Sequence, residues 1–251
     1  MFCKIELIPK KQIDDEIEEL LWSFLVCLKR NGQIINDYRI VKSENYLLYV
    51  TFPKEDSFDE KYDGVYVKRD REKIKETFDY VVTVIGRNVS SQPYCDCEKR
   101  KAIEMETFKG DIDSVFTCCD CGKPIVLYEI PFLEMQDDHY HILDWQENYS
   151  AIDELWMNCL SDRYTGNQMV NINSALNKQG TQIAEYISSQ LGYKVYYHLS
   201  DEYGRKIKYH GTGRGKIHIC PKCDRVMTRI EMGEDREIDV CDECNLSYNG
   251  Y

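Results

Sequence analysis

The feature that most constrains this chain is a pair of Cys-x-x-Cys motifs near its C-terminal end. Cys220 and Cys223 form the first motif, Cys241 and Cys244 form the second, and residues 224–240 separate them. One Cys-x-x-Cys turn presents two thiolates to a zinc ion, so two such turns complete a tetrahedral coordination sphere. The spacing therefore predicts a closed, structural zinc site in a zinc ribbon.

A second, looser cysteine cluster lies between residues 95 and 121. The tetrad that best suits a second zinc ion comprises Cys95, Cys97, Cys118 and Cys121, with Cys119 left outside it. Because Cys118 and Cys119 are adjacent, the sequence does not decide which of the two is the ligand. A cluster of reduced thiols is the alternative. The cofactor expectation for the whole chain is two zinc ions, one per tetrad.

Hydrophobic periodicity predicts an α+β protein in three parts. Residues 1–91 have the order β-α-β-β-α-β of a ferredoxin-like domain. Residues 92–203 form a central mixed α/β region that contains a Cys-rich zinc segment. Residues 204–251 form a basic connector and the C-terminal zinc ribbon.

The central region holds two predicted helices and a strand. Ser150 with Asp153 resembles a capping box, which predicts a helix that begins at Ser150. A second helix is expected over residues 173–191, with Gly192 as its stop. Residues 193–199 follow as a strand whose inward side chains are Tyr193, Val195, Tyr197 and Leu199.

Charge limits the classes of partner. The chain carries a formal net charge of −12, so its average field repels a polyanion and attracts a basic protein. Its 12 Cys, with no signal-peptide pattern at the start and no long apolar run, lead us to expect a cytoplasmic protein without disulfides or a membrane span.

The one basic segment precedes the ribbon. It is rich in glycine, and its cationic residues are Arg205, Lys206, Lys208, Arg214 and Lys216. Lys and Arg contacts to phosphates dominate non-specific nucleic-acid affinity. Residues 204–216 are thus the place where nucleic acid would bind, and a surface loop without a ligand is the alternative.

The ribbon itself is acidic. Its candidate protein-binding residues are Glu231, Glu234, Asp235, Glu237 and Asp239. They favour recognition of a basic protein, and an immunity protein or antitoxin for a basic toxin is one concrete form of that hypothesis. Nucleic-acid binding through the basic segment is the alternative function.

No nucleophile–base pair or zinc-hydrolase motif is recognisable, and a four-Cys zinc ion has no open position for water. The sequence therefore predicts a protein that is not an enzyme. His139 and His141 are interpreted as parts of a solvated polar stretch. His218 is interpreted as a neighbour of the ribbon rather than a ligand.

From Cys118 onward the chain resembles an uncharacterised bacterial family of zinc-ribbon-containing proteins with a suggested nucleic-acid-binding role. The matching segments are CDCGKPIVLYEIP (119–131), DWQENYSAIDELWMNC (144–159), SALNKQGTQIAEYI (174–187), YKVYYHL (193–199) and the final CDECNLSYN. The resemblance implies a ribbon in a cytosolic bacterial protein, and it implies no reaction.

Overall fold

The chain folds into two compact units of mixed α and β structure. The computed structural model describes residues 1–11, 13, 16–87, 92–110, 114–201, 207–211, 213–234 and 236–250. The first unit comprises Met1–Tyr94 and Val126–Tyr140, and the second comprises Cys95–Ile125 and His141–Tyr251. Among the described helices, none combines the length and apolar character that a membrane crossing requires.

The first unit contains a four-stranded antiparallel sheet. Its main elements are β1 (Phe2–Pro9), α1 (Glu16–Asn31), β2 (Ile35–Lys42), β3 (Tyr46–Thr51), α2 (Val65–Thr77) and β4 (Phe78–Gly86). The strand order in the sheet is β2-β3-β1-β4. Short 3-10 turns at Glu60–Tyr62 and Leu127–Glu129 complete the unit.

The core of the first unit lies between one sheet face and the helices. Alternate residues of β1, namely Cys3, Ile5 and Leu7, are buried, as period-2 patterning requires. They pack in one cluster with apolar residues of α1, including Phe24 and Leu28. This burial determines which face of β1, and of the strands paired with it, belongs to the core.

The second unit is built around a six-stranded sheet. Its elements are β5 (Ala102–Met105), β6 (Phe116–Cys118), α3 (Tyr140–Met157), α4 (Asp162–Val170), α5 (Ala175–Leu191), β7 (Lys194–His198), β8 (Tyr209–His210), β9 (Ile217–His218), β10 (Thr228–Met232), β11 (Arg236–Cys241) and β12 (Leu246–Asn249). The order is β10-β11-β12-β7-β5-β6, and β8 pairs with β9 separately. The C-terminal strands thus extend the sheet that the central region begins.

Strand β7 lies in the middle of that sheet, parallel to β5 on one side and to β12 on the other. Both of its faces are buried, including Tyr196 and His198, which the alternating pattern placed outward. Parallel neighbours with cover on both faces explain the difference. On one face Tyr197 packs so close to α5 that a Cβ on Gly180 would lie 2.1 Å from its ring.

The helix bounds test the predicted caps. Helix α3 begins at Tyr140, so Ser150 lies inside it and the predicted N-cap there is wrong. The apolar face extends back through buried Trp145 and Ile142, and burial of that face determines where the helix begins. Helix α5 ends at Gly192 in the left-handed conformation, which confirms the predicted stop.

Candidate metal centres

The four C-terminal cysteines converge on one point. The sulfur atoms of Cys220, Cys223, Cys241 and Cys244 all lie within 4.8 Å of one another. A zinc–sulfur bond of about 2.3 Å in a tetrahedron separates neighbouring sulfurs by about 3.8 Å. The Sγ atoms of Cys223 and Cys241 are 3.7 Å apart. The donor set and its spacing therefore fit a zinc ion.

The second tetrad is the one that the sequence favours. The sulfurs of Cys95, Cys97, Cys118 and Cys121 also lie within 4.8 Å of one another. Cys119 instead lies in an apolar cluster with residues that include Tyr196 and Met232. Burial raises the pKa of the Cys119 thiol, which keeps it neutral.

The backbone forms each Cys-x-x-Cys turn in the same way. The residue after the second cysteine is left-handed in all three turns: Gly122 (φ 69°), Asp224 (φ 56°) and Asn245 (φ 52°). Glycine, Asn and Asp are the residue types that adopt this conformation most readily. In the two turns that begin at Cys118 and Cys220, an amide also donates to the carbonyl oxygen of that first cysteine, from Gly122 at 2.8 Å and from Asp224 at 2.9 Å. A Gly, Asn or Asp directly after the second cysteine therefore indicates such a turn in the sequence, in addition to the cysteine spacing.

The turn from Cys118 to Gly122 contacts the backbone of the β10–β11 hairpin. A Cβ on Gly233, in the turn between β10 and β11, would lie 2.9 Å from the carbonyl oxygen of Cys121. A Cβ on Gly122 would lie 3.3 Å from the carbonyl oxygen of Met232. The turn that begins at Cys118 therefore packs directly on the hairpin that leads to the C-terminal tetrad.

A third group of possible ligands consists of Glu104, Glu106 and His198. Arg236 lies 3.2 Å from Glu104 and 2.8 Å from Glu106. Ser247 donates to Glu104 at 2.6 Å, and His198 Nδ1 lies 3.1 Å from the same carboxylate. With these partners the group forms a partly buried ion network.

The buried pair of Glu104 and His198 shifts in pKa in opposite senses. Burial opposes a charge on His198, but Glu106 and Glu104 outweigh that effect and raise the pKa of the imidazole. Burial likewise opposes ionisation of Glu104, and His198, Arg236 and Ser247 together lower the pKa of its carboxyl. These shifts favour the carboxylate form of Glu104 and the protonated form of His198, so opposite charges face each other where the two groups meet.

The candidate protein-binding acids of the ribbon differ in their exposure to solvent. Glu231, Glu234 and Glu237 are exposed, whereas Asp235 lies outside the described residues. Asp239 is fully buried, and it accepts hydrogen bonds from the amide and Nδ1 of His218 at 3.0 and 2.8 Å. Its assignment as a protein-binding residue is wrong, because its carboxylate is enclosed by its own unit.

The basic segment is described only in part. Arg205 and Lys206 lie outside the described residues, as does the side chain of Arg214. Lys208 forms an ion pair with Asp224 at 2.7 Å, and Lys216 lies over the ring of Tyr209 at 4.0 Å. These two lysines therefore have partners within their own unit.

His139 and His141 differ in burial. His139 is buried, with only 1% of its surface exposed, so its interpretation as a solvated residue is wrong. Its ring packs 4.6 Å from that of Phe132, and the apolar surroundings explain its burial. His141 is exposed on α3.

Two parts of the chain match family models that carry no assigned activity. Residues 97–200 match the family described as "Domain of unknown function (DUF2310)". Residues 3–84 match the one described as "Domain of unknown function (DUF8589)". The first match includes Cys97, Cys118 and Cys121 and ends before the C-terminal tetrad.

A solved structure of Rv0793 from Mycobacterium tuberculosis is similar to part of the chain. The two are 14% identical, with a TM-score of 0.30, and the match covers 36% of this chain and 97% of that one. None of the curated proteins matches the chain.

Proposed function

We propose that this protein is a non-enzymatic binding protein whose two Cys tetrads each hold a structural zinc ion. The observation that carries the proposal is the convergence of eight cysteine sulfurs into two sets of four. Four thiolates close the coordination sphere, so the metal has no position at which to activate water. Zinc at such sites contributes on the order of 10 kcal/mol to folding.

We also propose a specific fold for each of two parts of the chain. The first unit is a ferredoxin-like sandwich, supported by its element order and by the antiparallel order β2-β3-β1-β4. The hairpin β10–β11 and the C-terminal tetrad form a zinc ribbon. Zinc then supplies the rigidity that a small hairpin lacks on its own.

The binding function is recognition of a basic protein. The net charge of −12 supports it, and so do the exposed acids Glu231, Glu234 and Glu237. Glu231 and Glu237 are directly opposite each other on β10 and β11. Like charges in that arrangement destabilise a hairpin. Arg229, 3.8 Å from Glu237, offsets part of that cost, and a cationic partner would offset more. An immunity protein or antitoxin for a basic toxin is the specific form that we propose.

A capture experiment tests the choice of partner. Tagged wild type, the ribbon variant Glu231→Lys/Glu234→Lys/Glu237→Lys and a control that reverses three exposed acids of the first unit are incubated with nuclease-treated extract of the source cell. The control changes are Glu44→Lys, Glu72→Lys and Glu76→Lys. We expect wild type and control to retain the same basic protein and the ribbon variant to lose it. Equal capture by all three would contradict recognition by the ribbon.

The nucleic-acid alternative has a separate test. Changing Arg205, Lys206, Lys208, Arg214 and Lys216 to Ala removes every cationic side chain of the basic segment. We expect neither wild type nor this variant to shift mixed DNA or RNA in a gel at about 50 mM salt, where phosphate contacts are strongest. A shift by wild type that the variant loses would favour the alternative.

A further inference from the structure

The turn that completes the Cys95 tetrad contacts a hairpin that supplies a ligand to the C-terminal tetrad. The Cys95 tetrad is the set Cys95, Cys97, Cys118 and Cys121. A Cβ on Gly233, in the turn of the β10–β11 hairpin, would lie 2.9 Å from the carbonyl oxygen of Cys121 and 3.1 Å from the Cα atom of Gly122. Strand β11 runs from Arg236 to Cys241, a ligand of the C-terminal tetrad. The hairpin is therefore a direct link between one metal turn and a ligand of the other.

A second link runs through side chains that neighbour the ligands in sequence. Cys119 follows the ligand Cys118, and Val240 precedes the ligand Cys241. Cys119 and Val240 belong to one buried apolar cluster, together with Met232 of β10. Because a close-packed cluster tolerates little displacement of its members, the positions of Cys118 and Cys241 depend on each other.

Tyr196 of β7 connects the same cluster to the turn of the C-terminal tetrad. Tyr196 belongs to the cluster that contains Cys119. Its hydroxyl donates a hydrogen bond to the carboxylate of Asp242, which lies between the ligands Cys241 and Cys244. The hydroxyl therefore holds the C-terminal turn to the apolar cluster that includes the neighbour of a Cys95-tetrad ligand.

We propose that the two tetrads bind zinc with positive cooperativity, so that an ion at either tetrad raises the affinity of the other for zinc. The inference rests on the proposed zinc sites and adds a coupling between them. Linkage makes the coupling reciprocal, so its factor is the same whichever tetrad fills first. Couplings between sites are typically about 5- to 150-fold, and we expect about tenfold here. The chain then shows fewer half-loaded molecules than two independent sites would give.

The hairpin and the apolar cluster provide the physical cause of this coupling. Metal binding at a four-Cys site is coupled to folding, because the ligands rarely hold their positions without the ion. Zinc at one tetrad orders its own turns and, through the hairpin and the cluster, the residues next to the other tetrad. The second ion then binds a segment that has less conformational entropy left to lose. Charge acts in the opposite sense, since zinc with four thiolates carries surplus negative charge and like charges repel.

A binding cycle with three proteins measures the coupling. Competition against a chelator of known zinc affinity gives the overall two-ion constant of wild type. It also gives the single-ion constants of Cys118→Ala and Cys241→Ala, each of which keeps one intact tetrad. Independent sites require the wild-type constant to equal the product of the two single-ion constants, and we expect it to exceed that product about tenfold. A wild-type constant equal to the product would overturn the proposal.

The same data separate a failure of the coupling from a failure of the zinc sites. A tenfold coupling corresponds to about 1.4 kcal/mol, whereas structural zinc contributes on the order of 10 kcal/mol. Each variant should therefore still bind the ion of its intact tetrad. A wild type that binds fewer than two ions in excess zinc would contradict the proposed sites themselves, and the inference with them. Two bound ions without added affinity would contradict the coupling alone.

A glycine variant with both tetrads intact provides a second readout. Native mass spectrometry of the full chain, loaded to about half of its zinc capacity, gives the empty, singly loaded and doubly loaded fractions. The square of the singly loaded fraction, divided by the product of the other two, is inversely proportional to the coupling.

Gly233→Ala displaces the hairpin from Cys121, so we expect this ratio to rise at least about fivefold. Gly192→Ala is the control and should leave the ratio unchanged, because Gly192 has a φ of +72° with open space around it. A ratio that is the same in wild type and both variants would overturn the hairpin contact as the route of the coupling.

Discussion

Gly233 lies against Cys121 so closely that a Cβ on the glycine would be 2.9 Å from the carbonyl oxygen of the cysteine. Gly233 also has a φ of +69°. The hairpin that leads to the C-terminal tetrad is therefore fitted to the turn of the other tetrad, and its tip admits glycine alone.

We expect Gly233→Ala to lower the free energy of unfolding by at least about 2 kcal/mol, since it combines left-handed strain with a backbone clash. Gly192→Ala is the matched control, because Gly192 has a φ of +72° with open space around it. That change should cost about 1 kcal/mol. Urea unfolding of zinc-loaded protein measures both values, and equal costs would refute the fit of Gly233 to Cys121.

Adjacent cysteines should differ in their effect on metal content. Cys118→Ala removes a ligand of the tetrad that also contains Cys95, so we expect it to lose one zinc ion per chain and to become less stable. Cys119→Ala removes a thiol that packs in an apolar cluster, so that variant should keep both ions. Zinc analysis by inductively coupled plasma mass spectrometry distinguishes them, and loss of zinc from Cys119→Ala instead would reverse the assignment.

The buried ring of His139 predicts a dependence of stability on pH. Burial lowers the pKa of His139 to about 3, and neither ring nitrogen has a hydrogen-bond partner among the described residues. The unfolded chain, with an imidazole pKa of about 6.5, binds the extra proton first. This contribution is therefore complete above about pH 6.5 and falls by about 1.4 kcal/mol per pH unit below it.

The variant His139→Phe should abolish this part of the pH dependence, because phenylalanine fills the site and does not titrate. Urea unfolding between pH 5 and pH 8, taken as the difference between wild type and variant, isolates the term. A difference that stays constant with pH would show that the histidine is solvated in the folded state.

The ion network around Arg236 should matter more than an exposed ion pair. Arg236→Met leaves Glu104 and Glu106 close together without their guanidinium, so we expect a loss of about 3–5 kcal/mol in the free energy of unfolding. The control is Arg225→Met, which breaks an exposed ion pair with Glu243 and should cost less than about 1 kcal/mol. Similar losses of stability for the two changes would mean that water solvates Glu104 and Glu106 once the guanidinium is removed.

The metal centres could be predicted because their chemistry is local. Each cysteine pair lies within a few residues, so spacing alone brings the ligands of one turn together. The left-handed residues Gly122, Asp224 and Asn245 strengthen that signal. Helix α1 and the strands of the first unit were predictable for a similar reason, since periodicity reports which face is buried.

The remaining features depend on contacts between distant residues. Glu104 receives a hydrogen bond from Ser247, 143 positions away, and no local pattern shows that a charged residue in β5 will be buried with its partners. The burial of Asp239 follows in the same way from Arg229 and His218. The segment Val126–Tyr140 belongs to the first unit although it follows the Cys-rich segment, and its composition does not reveal this.

The central claim is that two tetrads of cysteine hold two structural zinc ions. The most direct measurement is the zinc content per chain of protein purified without chelator or added metal, by inductively coupled plasma mass spectrometry. The account predicts two zinc ions per chain, and one per chain after either Cys118→Ala or Cys241→Ala. A wild-type protein that is folded with no bound zinc would contradict it.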